Sequence, residues 1–82
     1  MGMYVIITDN EHNVLDEGKW ADSNNLNYTQ DMLTIDEDGE VQIKVKRNQL
    51  KEVTKNMQSN NHIIGEVMDQ WFVTEVIVKL DW

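Results

Sequence analysis

Cysteine and proline are both absent from this chain of 82 residues. Without a thiol, the protein cannot form disulfides, thiolate metal sites or a cysteine nucleophile. The length allows one domain, spanning residues 1–82, close to the lower limit at which a chain folds on its own core. Domains of this size are often reinforced by disulfides, metals or oligomerisation, and the first of these is excluded here.

Long hydrophobic runs are also absent. The longest nearly apolar run is Met3–Ile7, whereas about 20 consecutive apolar residues are needed to span a bilayer. No positively charged segment precedes this run, so it lacks the form of a secretory signal. We therefore expect a cytoplasmic protein that does not associate with membranes.

Positive charge is scarce, because seven Lys and Arg residues face fifteen Asp and Glu residues, for a net charge of −8. Such a chain repels phosphate, so we expect no direct binding to nucleic acid. Residues 1–40 carry ten acidic residues and one lysine, residues 41–60 have a net charge of +4, and residues 61–82 a net charge of −3. The basic middle segment is typical of a solvated face that balances nearby acids.

Two hairpins are predicted in the first half of the chain. Their strands lie at residues 3–8 and 14–18, and at residues 33–35 and 40–46. Asn and Asp residues at 9–13 provide the first turn. In the second hairpin, Gly39 provides the positive φ that the turn requires, and apolar residues alternate strictly with polar ones after it. Residues 19–31, between the hairpins, are polar and predict a surface loop, in which a single helical turn is possible.

The second half predicts one helix and two strands. Asn48 can cap a helix in which Leu50, Val53 and Met57 form an apolar stripe. Strands are predicted at residues 62–68 and 71–80. Because both faces of the last strand carry apolar residues, we expect it to be central, or its outer face to meet the helix or a partner. The predicted fold class is α+β. It is a mostly antiparallel β-sheet of about six strands, in the order β-β-β-β-α-β-β, with one helix at roughly 48–59 packed on one face.

Neither a nucleophile elbow nor a phosphate-binding loop occurs, and a single layer with one helix leaves little volume for a water-excluding cleft. We therefore predict a protein that is not an enzyme and that has no cofactor and no metal.

The run Asp36–Gly39 resembles part of a calcium loop, but Val45 occupies the position that needs a bidentate Glu, which favours a solvated turn. His12 lies near several acids in sequence, yet a turn tip favours a solvated surface histidine.

Trp20 and the acidic residues are the best candidates for partner contacts. Trp20 falls in the predicted acidic loop, and Trp is enriched at interface hot spots, whereas Trp71 and Trp82 are expected to cap the small core. The acids cluster at the hairpins, and the candidate contact residues among them are Asp16, Glu17, Asp36, Glu37, Asp38 and Glu40. A dense acidic surface can serve solubility, steer the protein to basic partners, or imitate the phosphates of nucleic acid.

Our leading hypothesis is a small acidic, non-enzymatic interaction protein that binds a protein partner through its acidic hairpin surface. Nine Asn with no Cys or Pro are typical of an AT-rich bacterial or phage source, which suggests an inhibitor of a nucleic-acid-binding host protein. One alternative is a homo-oligomer, such as a homodimer, that pairs an edge strand or the partly apolar outer face of residues 72–80. The other is a small-ligand or metal-binding module that uses His12 and its neighbouring acids.

Overall fold

The computed structural model describes residues 3–81, apart from the side chain of Asp81. Within this range, five strands form one antiparallel sheet in the order β2-β1-β5-β4-β3. The strands are β1 (Met3–Thr8), β2 (Val14–Trp20), β3 (Leu33–Ile35), β4 (Val41–Lys46) and β5 (Glu75–Asp81). The helices are α1 (Leu50–Val53) and α2 (Ile63–Trp71), with 3-10 turns at Ser23–Asn25, Gln30–Met32 and Arg47–Gln49. The α+β class is confirmed.

Both predicted hairpins are present, and each is closed by an aspartate. In the first turn, one carboxylate oxygen of Asp9 accepts the backbone N–H groups of Glu11 and Asn13, both at 2.9 Å. In the second, the backbone N–H of Asp36 donates to the carbonyl of Glu40 at 3.0 Å. Gly39 has a φ of 81°, the left-handed value that glycine adopts without steric cost.

The prediction that the last strand is central is confirmed, because β5 pairs with β1 on one side and with β4 on the other. Val76 and Val78 are buried in the core below one face of the sheet. Ile77 lies on the opposite face, which we call the open face, and is also buried, between Thr8 and Lys44 on the neighbouring strands. Residues of the two neighbouring strands therefore cover Ile77 on this face, although no helix within residues 3–81 packs against it there.

The predicted strand at residues 62–68 is wrong, because residues 63–68 lie in α2, and the strand predicted at 71–80 begins only at Glu75, since α2 extends to Trp71. Ile64, Val67 and Met68 are the buried residues of α2, and their spacing of three and four places them on one side of a helix. The paired β-branched residues Ile63 and Ile64 favour a strand locally, but packing of this apolar side prevails. Within the described residues the sheet consequently has five strands, not six, and two helices precede β5.

The predicted helix at 48–59 is shorter than expected, since α1 ends at Val53. The hydroxyl of Thr54 donates to the carbonyl of Leu50 at 2.7 Å, and the N–H groups of residues 58–60 donate to Asp22 rather than to preceding carbonyls. A distant carboxylate thus replaces helical hydrogen bonds. None of the helices within residues 3–81 has the length and apolar character needed to cross a membrane.

The core lies between one face of the sheet and a layer in which α2 packs against β2 and α1 against β4. Trp20 belongs to this core, so its predicted place in an exposed loop is wrong. It is the last residue of β2, pairs with Met3, and has 4% of its surface exposed. Burying so large an apolar side chain is strongly favourable in a small domain. Trp71, expected to cap the core, is half exposed, and Trp82 lies outside the described residues.

Candidate functional site

The turn between β3 and β4, residues 36–40, carries four acids in two different roles; we call it the acidic turn. Asp36 is structural, because its carboxylate accepts the backbone N–H groups of Asp38 and Glu40 at 3.0 and 2.8 Å and the side-chain amide of Gln42 at 3.3 Å. Glu40 forms an ion pair with Lys79. The carboxylates of Glu37 and Asp38 are exposed, and neither has a hydrogen bond or ion pair within residues 3–81. These two remain available for a partner.

The other two candidate acids, Asp16 and Glu17, lie on β2 at the opposite edge of the sheet. Three strands separate β2 from β3, so the structure does not bring these acids together with the acidic turn. Glu17 is engaged with Tyr4 instead. Partial burial first, and then the neighbouring carboxylate of Glu17, raise the pKa of the Tyr4 hydroxyl. The predicted acidic surface is therefore divided into two separate parts.

The turns of the two hairpins share one shallow groove on the open face. It has a volume of about 360 Å³. It is lined by His12 and Val14 from the first hairpin and by residues 36–38 from the second, together with Ile6, Thr8, Gln42 and Lys79. His12 has a φ of 67° and is exposed. Across residues 3–81, no group of three or more His, Asp or Glu side chains is arranged to hold a metal ion. Because the exposed carboxylates of Glu37 and Asp38 line this groove, it can bind a positively charged group.

On the core side of the sheet, beside the acidic turn, several apolar side chains are exposed. This apolar edge consists of Tyr28, Leu33, Ile35 and Val41. Ile35 pairs with Val41, and the two are 72% and 57% exposed. A cavity of about 140 Å³ opens here, lined by Tyr28, Leu33, Val41, Ile43, Val78 and Leu80. Sequence reasoning missed this edge, although the alternation of apolar residues through β3 and β4 already placed these side chains on one face.

A second exposed apolar feature is the corner between α2 and β5, formed by Trp71 and Phe72. Phe72 is 94% exposed and has left-handed backbone angles, with φ 54° and ψ 40°. The following N–H, of Val73, donates to the carbonyl of Met68 at 3.1 Å and closes the helix end. The guanidinium of Arg47 donates to the carbonyl of Val73 at 3.3 Å, which fixes the corner to the end of β4. Sequence reasoning missed this feature because it placed both aromatic residues in a strand.

Comparisons of the chain with protein-family models, with curated proteins and with solved structures find no match. The function is therefore inferred from the chemistry of the exposed surfaces. At the β3–β4 hairpin, the free carboxylates of Glu37 and Asp38 line the groove on the open face, and the exposed side chains of Ile35 and Val41 lie on the core side. A surface that combines carboxylates with apolar side chains can bind a partner that is both basic and apolar.

Proposed function

We propose that this chain is a non-enzymatic, cytoplasmic protein-binding module that docks its β3–β4 hairpin on a basic surface of a partner protein. The observation that carries the proposal is the position of Glu37 and Asp38, two free carboxylates, on the same hairpin as the exposed residues Ile35 and Val41. Desolvation of the apolar side chains supplies affinity, and the carboxylates supply specificity and a faster encounter.

The partner class that fits this surface best is a nucleic-acid-binding protein. Such a protein presents Lys and Arg to attract phosphate, and an acidic protein with a net charge of −8 is attracted to the same surface. Occupation of that surface would exclude nucleic acid, so the chain would act as an inhibitor. Small acidic proteins of phages and mobile elements often inhibit host machinery, and this chain resembles them in size and charge.

The test is affinity capture from a bacterial lysate with three forms of the tagged chain. The first is the wild type, the second carries Glu37→Gln with Asp38→Asn, and the third carries Glu11→Gln with Glu66→Gln. The last two lose the same charge, and all four positions are exposed, but only the second changes the acidic turn. Asp36 stays unchanged because its carboxylate holds the turn together.

We expect a specific partner to be retained by the wild type and by the Glu11/Glu66 variant, and to be lost by the Glu37/Asp38 variant. Equal retention by all three forms would show that the acidic turn is not the contact. Equal loss of the partner by both variants would show that binding depends on the net charge of the chain and not on the position of the acidic turn. Melting curves of each form establish that the comparison concerns folded protein.

A homodimer is the second candidate function, and one observation favours it. Strand β3 lies at an edge of the sheet and exposes Ile35, so a second copy could pair with it. In an antiparallel pair the two acidic turns would lie at opposite ends of a three-residue strand, about 10 Å apart, where like-charge repulsion opposes pairing unless salt screens it. Sedimentation of the chain at high concentration, in low and in high salt, tests this candidate. A monomer under both conditions would eliminate it.

A further inference from the structure

We propose that the outer edge of β3 receives an extended segment of the partner in which apolar and basic side chains alternate. This inference rests on the proposed function, since it specifies how the basic partner is held. Within residues 3–81, strand β3 pairs only with β4 and forms one edge of the five-stranded sheet. An extended segment placed beside β3 would become a sixth strand, a common mode of peptide recognition.

The backbone of β3 has hydrogen-bonding groups directed to this outer edge. Asp36 and Glu40 form a hydrogen-bonded pair, and in an antiparallel ladder hydrogen-bonded and non-hydrogen-bonded pairs alternate. Thr34 therefore bonds to β4, whereas Leu33 and Ile35 direct their backbone groups outward. The N–H of Leu33 already donates to the carbonyl of Gln30. The carbonyl of Leu33 and both backbone groups of Ile35 are then the groups offered to an added strand.

The two faces beside β3 differ in chemistry, and this difference selects the partner segment. The core side presents the apolar edge, with Leu33 and Ile35 exposed near the cavity of about 140 Å³. That volume is below the roughly 300–1,000 Å³ of small-molecule sites, so it suits one aliphatic side chain. The open face presents residues 36–38 along the shared groove. Because successive side chains of a strand point to opposite faces, an alternating apolar and basic segment matches both.

The inner edge of β3 already pairs with a segment of this kind. Strand β4 reads Val-Gln-Ile-Lys-Val-Lys, with its apolar residues toward the core and its polar and basic residues on the open face. Ile43 and Val41 lie opposite Leu33 and Ile35. The outer edge offers the same side chains of β3 to a partner, whereas a second copy of this acidic chain would bring like charges together.

The probes for this inference are two synthetic peptides of identical composition, an alternating Lys-Ile-Lys-Val-Lys-Ile-Lys and a block Lys-Lys-Ile-Val-Ile-Lys-Lys. Binding of each to the full chain is followed by amide chemical shifts. We expect the alternating peptide to bind about tenfold more tightly than the block peptide, with the largest shifts at residues 33–35. Ile35→Lys should abolish this preference. Phe72→Lys, at a 94% exposed position that lines neither the shared groove nor the cavity, should leave it unchanged.

A further experiment alters the peptide and keeps the wild-type protein, so its result does not depend on whether a variant folds. N-methylation of the alternating peptide at the residue that pairs with Ile35 removes a strand hydrogen bond and should weaken binding by about tenfold. Unchanged affinity would overturn strand addition.

Equal affinity of the alternating and block peptides would also overturn the inference. The proposed function would survive that result if both peptides lost affinity for the Glu37→Gln, Asp38→Asn form. A third outcome is that neither peptide binds, while capture of the partner still depends on the acidic turn. This outcome would overturn strand addition and leave the proposed function standing. If the wild type is a dimer and Ile35→Lys is a monomer, a second copy of the chain occupies the outer edge of β3. That result would also overturn the inference.

Discussion

The Oδ2 atom of Asp22 accepts the backbone N–H of Gln58 at 2.8 Å, although the two residues are 36 positions apart. The same oxygen accepts the N–H groups of Ser59 at 2.9 Å and Asn60 at 3.4 Å. Burial alone would raise the pKa of Asp22, but these backbone donors outweigh it and the pKa is lowered. One carboxylate thus joins the loop after β2 to the connection between α1 and α2.

Replacement of Asp22 should destabilise the fold more than replacement of any free surface acid. We expect Asp22→Ala to lower the free energy of unfolding by about 2–3 kcal/mol, because three N–H groups lose a charged acceptor. Asp38→Ala, which removes an exposed carboxylate that has no partner in residues 3–81, should change it by less than about 0.5 kcal/mol. Urea unfolding followed by circular dichroism measures both. Equal midpoints for the two variants would contradict the bridging role.

Stability should fall in acid because carboxylates are bonded in the folded state. The pKa of Asp9 is lowered by hydrogen bonds from Asn13, and that of Glu52 by the ammonium of Lys55. The pKa of Asp22 is lowered below its ordinary 3.8. A lowered folded-state pKa contributes stability that is fully present above the ordinary value and is lost as the pH falls through the folded value.

Melting temperatures between pH 7 and pH 2 test this dependence. We expect a plateau down to about pH 5 and a decline below pH 4. In Asp22→Asn the decline should be shallower than in the wild type, because the titrating group has been removed. A parallel decline in both forms would show that Asp22 contributes nothing to the acid transition.

The two hairpins were predictable because their signals are local. Gly39 fits the left-handed position of the turn, and the alternation of Val41, Ile43 and Val45 fits a strand with one apolar face, on which Ile43 and Val45 are buried. In α2, by contrast, the β-branched Ile63 and Ile64 favour a strand locally, and packing decides for a helix. The shortening of α1 was also unpredictable, because it depends on a carboxylate far away in sequence.

The candidate site was predictable only in its local part. The acidic turn lies where the sequence placed it, but Asp16 and Glu17 lie at the far edge because β5 inserts between the hairpins. Strand order is a non-local property that composition and periodicity do not encode. The same limit applies to Trp20, whose burial depends on the helices that cover β2.

The glycines at positions 65 and 39 should respond in opposite ways to replacement by alanine. Gly65 lies inside α2, and a Cβ there would lie 3.6 Å from the Cδ1 atom of Leu50, an ordinary contact. Gly65→Ala should therefore stabilise the fold by about 0.5–1 kcal/mol through helix propensity. Gly39→Ala should destabilise it by about 1 kcal/mol or more, because φ is 81°. Urea midpoints that move in the same direction would contradict this assignment.

Phe72 has an unfavourable left-handed backbone conformation, and its side chain is almost fully exposed. Two replacements can therefore separate the contributions of the backbone and of the side chain to the free energy of unfolding. Phe72→Gly should stabilise the protein by about 1 kcal/mol, because glycine adopts the left-handed conformation without a Cβ clash. That gain corresponds to a rise of about 4–8 °C in melting temperature. Phe72→Ala keeps the backbone cost and loses a ring that is 94% exposed, so it should be nearly neutral.

The pair of Phe72 variants also tests whether this aromatic residue is retained for the surface. A stabilising Phe72→Gly beside a neutral Phe72→Ala would show that the ring is held at a cost to stability, as is typical of contact residues. A loss of more than about 1 kcal/mol in Phe72→Ala would instead mean that the ring packs against the fold. In that case the corner has a structural role, and partner contacts should be sought at the acidic turn and the apolar edge alone.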